Sequence, residues 1–207
     1  MIAKEVLDKA FDERFPRDIK VKLQNAKVAI AGLGGLGSNI AVMLARSGVG
    51  HLFLVDFDVV DVTNLNRQMY MIPQLGKPKT EALPEILQQI NPYLDIQTKN
   101  IKVTADNIQE LFQDYPIVCE AFDKPDQKAM LVGGLLSSCP KTVIVSGNGM
   151  AGYGDANGIK TERRMSRLYV CGDQSTDVGA GIGLMAPRVA ICAGHQANKV
   201  IQLILGQ

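Results

Sequence analysis

Asp56, Asp58, Asn64, Arg67, Gln68, Lys79 and Asp123 are the side chains whose types and spacing could do chemistry together, and all but Asp123 crowd into residues 56 to 79. Carboxylates and amides offer the hard oxygens that suit Mg²⁺. An arginine and a lysine beside a polyphosphate can hold it and offset charge developing on phosphorus. A dehydrogenase needs a nicotinamide pocket and has no use for such a set after its ribose acid. The pattern therefore points to ATP chemistry and away from an NAD-dependent oxidoreductase.

Residues 27 to 68 must position this set. An apolar run, Lys27 to Ala31, enters Gly32-Leu-Gly34-Gly35-Leu-Gly37-Ser38, then a helix-compatible stretch, then a second apolar run, His51 to Val55, that ends on Asp56. Strand, glycine turn, helix and strand in this order form half of a mononucleotide-binding unit. Its glycines allow a turn, a close approach of backbone to phosphate, and tight packing of helix on strand. The free N–H groups at the helix start face an anion, and Asp56 stands where a carboxylate can accept from ribose hydroxyls. Taken alone, the turn and its acid fit NAD, FAD or ATP.

Further along, Lys4 to Phe15 has a helical pattern broken at Pro16. A polar loop covers 63 to 76, and a helix runs from an N-cap at Thr80 to about Ile90, with Pro84 tolerated if the first turn begins near Thr80 and a kink otherwise. A weak strand near 96 to 103 precedes a helix capped near Thr104. Pro116 to Phe122 reads as an almost purely apolar strand ending in Asp123, followed by a helix opened by Pro125. Thr142 to Val145 is another buried strand. Alternating strands and helices predict an α/β fold: a doubly wound, mostly parallel Rossmann-like sheet with its ligand site at the strands' carboxyl ends. A single domain is expected over 1–207, with a nucleotide-binding core at 27–148, a crossover region of short strands and a mobile loop at 149–186, and a final helix at 187–206 opened by Pro187 and stopped by Gly206.

The 207 residues carry a formal net charge of +1, so no global field recruits nucleic acid or an anionic membrane. No apolar stretch approaches the roughly 20 residues that span a bilayer, and the amphipathic N-terminus lacks a signal-peptide core; a cytoplasmic protein is expected. Cys119, Cys139, Cys171 and Cys192 include no CxxC pair, which excludes a zinc site built from two such pairs. Cys119 and Cys192 read as packing residues, and Cys171 alone falls in a polar, glycine-rich segment. His51 and His195 read as structural.

The chain resembles the ThiF/MoeB family, bacterial relatives of the ubiquitin-activating enzymes. The matching pieces are GLGGLGS at 32–38, SGVG at 47–50, DFD at 56–58 with TNLNRQ at 63–68, GKPK at 76–79, INP at 90–92, Asp123 after an apolar strand, and GLMAPRVAICAGHQA at 183–197. Length and C-terminal pattern look most like the short, zinc-free ThiF branch of thiamine biosynthesis. The resemblance implies ATP- and Mg²⁺-dependent adenylation of the C-terminal Gly-Gly carboxylate of a ThiS-like sulfur carrier, with release of pyrophosphate. It places Gly32, Gly34, Gly35, Gly37, Asp56, Asp58, Asn64, Arg67, Gln68 and Lys79 around the nucleotide, and Asp123 on Mg²⁺. It implies a homodimer in which Arg17, or failing that Arg14, reaches the partner's phosphates. It makes Cys171 the candidate for sulfur transfer from a cysteine-desulfurase-type donor, provided Arg163, Arg164 or Arg167 lowers its pKa. The same chemistry on a molybdopterin-type carrier or on a tRNA-base carboxylate is the alternative.

Overall fold

The computed structural model describes residues 2–207. Two amphipathic helices come first, α1 (Lys4–Asp12) and α2 (Arg17–Asn25). The nucleotide unit follows as β1 (Lys27–Ala31), α3 (Gly35–Arg46) and β2 (His51–Asp56), then α4 (Lys79–Ile90) and β3 (Asp95–Asn100). Next come α5 (Ile108–Phe112), β4 (Ile117–Glu120), α6 (Pro125–Ser138) and β5 (Val143–Gly147). The chain closes with a hairpin, β6 (Lys160–Met165) and β7 (Leu168–Gly172), and the long α7 (Ala186–Leu205).

The strands form one sheet in the order β3-β2-β1-β4-β5-β7-β6, all parallel except β6. The chain builds outward from β1 through β2 to β3, then returns to the other side of β1 for β4 and β5. That reversal puts the topological switch point between β1 and β4, where a crevice opens at the carboxyl ends.

Alternation along the strands explains the two cores. Val28, Ile30, Leu52 and Leu54 pack on the face that also takes Leu36, Ile40, Leu83 and Val189 from α3, α4 and α7. Their neighbours Ala29, Ala31, Phe53 and Val55 point to the other face and meet Ile108, Phe112, Leu131 and Leu135 of α5 and α6. Central strands buried on both sides show as unbroken apolar runs, as the sequence had.

Several boundaries differ from expectation. Pro16 breaks the first helix but caps a second one, so Arg17 opens α2. Pro78, not Thr80, is the N-cap of α4. Pro84 therefore sits past the first turn, where it has no N–H to return to the Thr80 carbonyl. Asn107 caps α5, while the Thr104 N–H donates to the Asn107 side chain. The crossover region does contain the short strands expected of it, as the β6–β7 hairpin, and its 173–176 turn is tied to α7 by the Asp173–Arg188 ion pair.

Candidate active site

Gly32 leaves β1 at φ +90, a conformation that glycine adopts freely. A Cβ on Gly37 would stand 1.8 Å from the Gly32 carbonyl oxygen. Gly37 therefore serves the packing of α3 against the turn and does not line the cleft. Gly34 is open toward the cleft, with only the Gln68 amide nitrogen near a built Cβ at 3.8 Å.

Asp56 ends β2 and is nearly buried. Its Oδ2 accepts the Leu33 N–H at 2.6 Å, and its Oδ1 accepts the N–H groups of Phe57 and Asp58 at 2.7 and 2.8 Å. A carboxylate offers about four lone-pair sites, so stapling the glycine turn to β2 leaves Asp56 room for about one more donor. The Tyr70 hydroxyl holds the turn from the other side by donating to the Leu33 carbonyl at 2.8 Å. Burial, with Asp56 and Asp58 nearby, pushes the Tyr70 phenol up.

The cations are held by short, local contacts. Lys79 is buried at the start of α4, with its ammonium 2.9 Å from Asp58 Oδ2. The Arg67 guanidinium donates to the Thr63 carbonyl at 3.1 Å and to Asn66 Oδ1 at 2.9 Å. Asn64 uses its amide oxygen to close a capping box with Asp61. Gln68 lies against the cleft with its buried Oε1 unpartnered.

These residues surround one cleft of about 770 Å³ at the carboxyl edge of the sheet. Gly32, Gly34, Gly35, Asp56, Asp58, Asn64, Arg67, Gln68, Lys79 and Asp123 all line it. Asp123 is exposed to it just past β4. Phe57 and the 101–103 segment close the β2 end, and Gly147 to Met150 with Gln174 to Val178 close the other. The arrangement offers backbone N–H groups, two fixed cations and an unhindered carboxylate around one anionic ligand.

Arg17 is not among them. It lines a separate surface pocket with Asp12, Phe15, Lys20, Val21 and Gln24, so within one chain it does not meet the cleft.

The expected position of Cys171 is corrected. It lies inside β7, not in a crossover loop, and is fully buried. Burial pushes its thiol up to about 11, against the smaller pull of the Thr161 hydrogen bond and Lys199. The arginines expected to lower it point elsewhere. Arg167 donates to the carbonyls of Leu136, Cys139 and Thr142, Arg163 to those of Met165 and Ser166, and Arg164 pairs with Glu162. A thiol in this setting is a packing group. His51 meets Asp95 at 2.8 Å and His195 meets Thr161 at 3.0 Å, both away from the cleft lining.

Sequence reasoning missed Glu120. It is fully buried on β4, where its carboxylate accepts from the Phe122 N–H at 2.8 Å, the Ser146 hydroxyl at 2.5 Å and Lys128 Nζ at 2.9 Å. Lys128 also donates to the Phe122 carbonyl at 2.9 Å. Phe122, the residue before Asp123, is thus clamped at both of its backbone polar groups. An acid inside the otherwise apolar IVCEAF was the available signal.

The ThiF family model matches residues 8–207, and the chain belongs to that family. It is 32% identical to the molybdopterin-synthase adenylyltransferase of Salmonella typhimurium over 189 residues, 88% of this chain and 74% of that protein. Against the Escherichia coli K12 protein of the same name it is also 32% identical, over 93% of this chain and 78% of the relative. In fold it matches the ATP complex of E. coli tRNA N6-threonylcarbamoyladenosine dehydratase with a TM-score of 0.88, at 22% identity, covering 100% of this chain and 97% of that one.

Proposed function

We propose that this ThiF-family adenylyltransferase uses ATP to activate the C-terminal glycine carboxylate of a ubiquitin-like sulfur carrier. The observation that carries the reading is the convergence of Arg67, Lys79 and Asp123 on one cleft with the glycine turn and Asp56. A carboxylate oxygen attacks the α-phosphorus, the bond to the bridging oxygen breaks, and pyrophosphate leaves with that electron pair. Asp56 accepts from the ribose. The N–H groups of the glycine turn, Arg67 and Lys79 hold the phosphates and meet the charge that builds on them. Lys79 reaches this task by turning from Asp58, which is half exposed and readily solvated.

Mg²⁺, when bound, neutralises phosphate charge and favours pyrophosphate as a leaving group. Among the described residues no group of three or more His, Cys, Asp or Glu could hold a metal. One open carboxylate fits Mg²⁺ all the same, because that ion takes one or two carboxylates and completes its shell from phosphates and water. Asp123 is the residue to hold it.

The C-terminal pattern GLMAPRVAICAGHQA supports a ThiS-type carrier with a Gly-Gly end. The names of the curated relatives favour a second reading, a molybdopterin-type carrier on the same chemistry. Arg17 acts across a homodimer interface, since its own cleft is out of reach. Exposed Val59, Val62, Met71 and Ile72 are the kind of apolar group a second copy would cover. No helix among the described residues is long and apolar enough to cross a membrane.

The test is ATP–pyrophosphate exchange with Mg²⁺ and a ThiS-type carrier, intact or shortened by its Gly-Gly end, repeated with the molybdopterin type. Exchange should require the intact end and collapse in Arg67→Ala and Asp123→Ala. Tight ATP binding without exchange on either carrier would refute the substrate assignment.

A further inference from the structure

The opening turn of α7 carries a buried charge that the proposed chemistry does not use. Arg188 is only 4% exposed. One of its terminal nitrogens donates to the Asp155 carbonyl at 2.7 Å, the other pairs with the Asp173 carboxylate, and Nε is buried without a partner. A guanidinium is costly to hide unless its partner is well fixed. Asp173 is fixed. Its Oδ1 accepts from the N–H and hydroxyl groups of Ser175 at 2.8 and 3.2 Å and of Thr176 at 2.8 and 3.1 Å.

The turn that results is the cleft's wall. Gln174, at φ 59, bonds outward to Glu162 at 3.0 Å, so the turn is held at its root by α7 and at its flank by β6. Residues 174 to 178 line the cleft on the side away from Asp56. In the strand order β2-β1-β4-β5-β7, the loop after β7 is three strands from the glycine turn and four from Asp56. At about 4.8 Å per strand it stands roughly 14 Å from the turn and 19 Å from the acid. Adenosine seated on Asp56 does not reach this wall. About four residues of extended polypeptide, at roughly 3.3 Å each, span the same distance from the phosphates.

We infer that Arg188 and Asp173 are positioning residues, whose buried ion pair sets the 174–178 wall against which the carrier's C-terminal tail lies. The inference rests on the carboxylate-adenylation reading. Neither residue touches the reacting atoms; they act through Ser175 and Thr176.

The experiment is exchange kinetics with the ThiS-type carrier, or the molybdopterin type if that alone supports exchange, at varied carrier and varied ATP. Wild type is compared with Arg188→Met, Arg188→Lys and Asp173→Asn. A displaced wall should raise KM for the carrier roughly tenfold or more while KM for ATP stays within about twofold. Arg188→Lys should recover part of the loss. Should Arg188→Met fail to fold, Asp173→Asn removes the charge pair and keeps a side chain that can accept from Ser175 and Thr176. Hydrogen–deuterium exchange on that variant should quicken in 173–178 and leave the 27–68 unit unchanged. An unchanged carrier KM, an equal loss toward ATP, or no local change in hydrogen exchange would overturn the inference. No exchange in wild type with either carrier would instead refute the carrier assignment on which the inference rests, and faster hydrogen exchange in Asp173→Asn would still establish the ion pair's hold on the turn.

Discussion

Lys128→Met isolates the most consequential buried charge in the fold. Glu120 is wholly enclosed, while the Lys128 side chain is 16% exposed and reaches it from the rim of the cleft. Removing the ammonium leaves the carboxylate with the backbone N–H of Phe122 and the Ser146 hydroxyl as its remaining donors. Breaking a buried pair from one side costs about 3–5 kcal/mol. The two remaining hydrogen bonds place this case near the lower end, about 3 kcal/mol. For a chain of this size that lowers Tm by roughly 6–12 °C, at about 2–4 °C per kcal/mol. Glu120→Gln in the same background removes the stranded charge, so the double variant should recover about 1–2 kcal/mol relative to the sum of the singles. Urea unfolding followed by far-UV circular dichroism at pH 7 reads all four corners of the cycle. A loss under about 1 kcal/mol in Lys128→Met, or strictly additive singles, would refute the claim that Lys128 compensates Glu120.

Gly37→Ala should abolish folding or ATP binding, because its Cβ would sit 1.8 Å from the Gly32 oxygen. Gly76→Ala, whose Cβ meets nothing within 4 Å, should lose only about 1–2 kcal/mol from its left-handed φ; calorimetric ATP titration and thermal unfolding compare the two. Burial acts to raise the Asp173 carboxyl, but hydrogen bonds from Thr176 and Ser175 outweigh it and bring it down to about 2. A depressed folded pKa adds stability above the ordinary value of 3.8 that is lost as pH falls from there toward 2. The deficit of Asp173→Asn should therefore be constant above about pH 5 and narrow below pH 4 in acid-titrated urea melts. All four cysteines are buried and free, so a thiol reagent added to the native protein should label none rapidly and all four once the chain unfolds. Fast labelling of Cys171 alone would contradict its place in β7.

The parts of the site legible in sequence are those fixed by covalent neighbours. A glycine turn announces itself because a positive φ and a missing Cβ leave few substitutes, and Asp56 is read from its place at the end of an apolar run. Arg67, Lys79 and Asp123 were legible as residue types, and the sheet order brings them together. Glu120 was hidden because apolar neighbours on both sides made its strand look uniformly buried, and its partners Lys128 and Ser146 belong to other elements. Arg188 was absorbed into a helix start, since Pro187 explains the position by itself. Cys171 was misplaced because Gly172 and Asp173 look like loop residues, whereas the glycine ends a strand at φ 139 with its missing Cβ facing the Asn148 carbonyl. α2 was lost because Pro16 ends one pattern and begins another.

The enclosed thiols have a kinetic meaning under the adenylation reading. A carboxyl adenylate is a mixed anhydride that water also attacks, and no cysteine among the described residues lines the cleft to intercept it. Where sulfur arrives on a second molecule, consumption of the adenylate is a bimolecular encounter in competition with hydrolysis. Such a catalyst gains by keeping its activated guest shielded until the visitor docks, and its productive yield rises with the visitor's concentration.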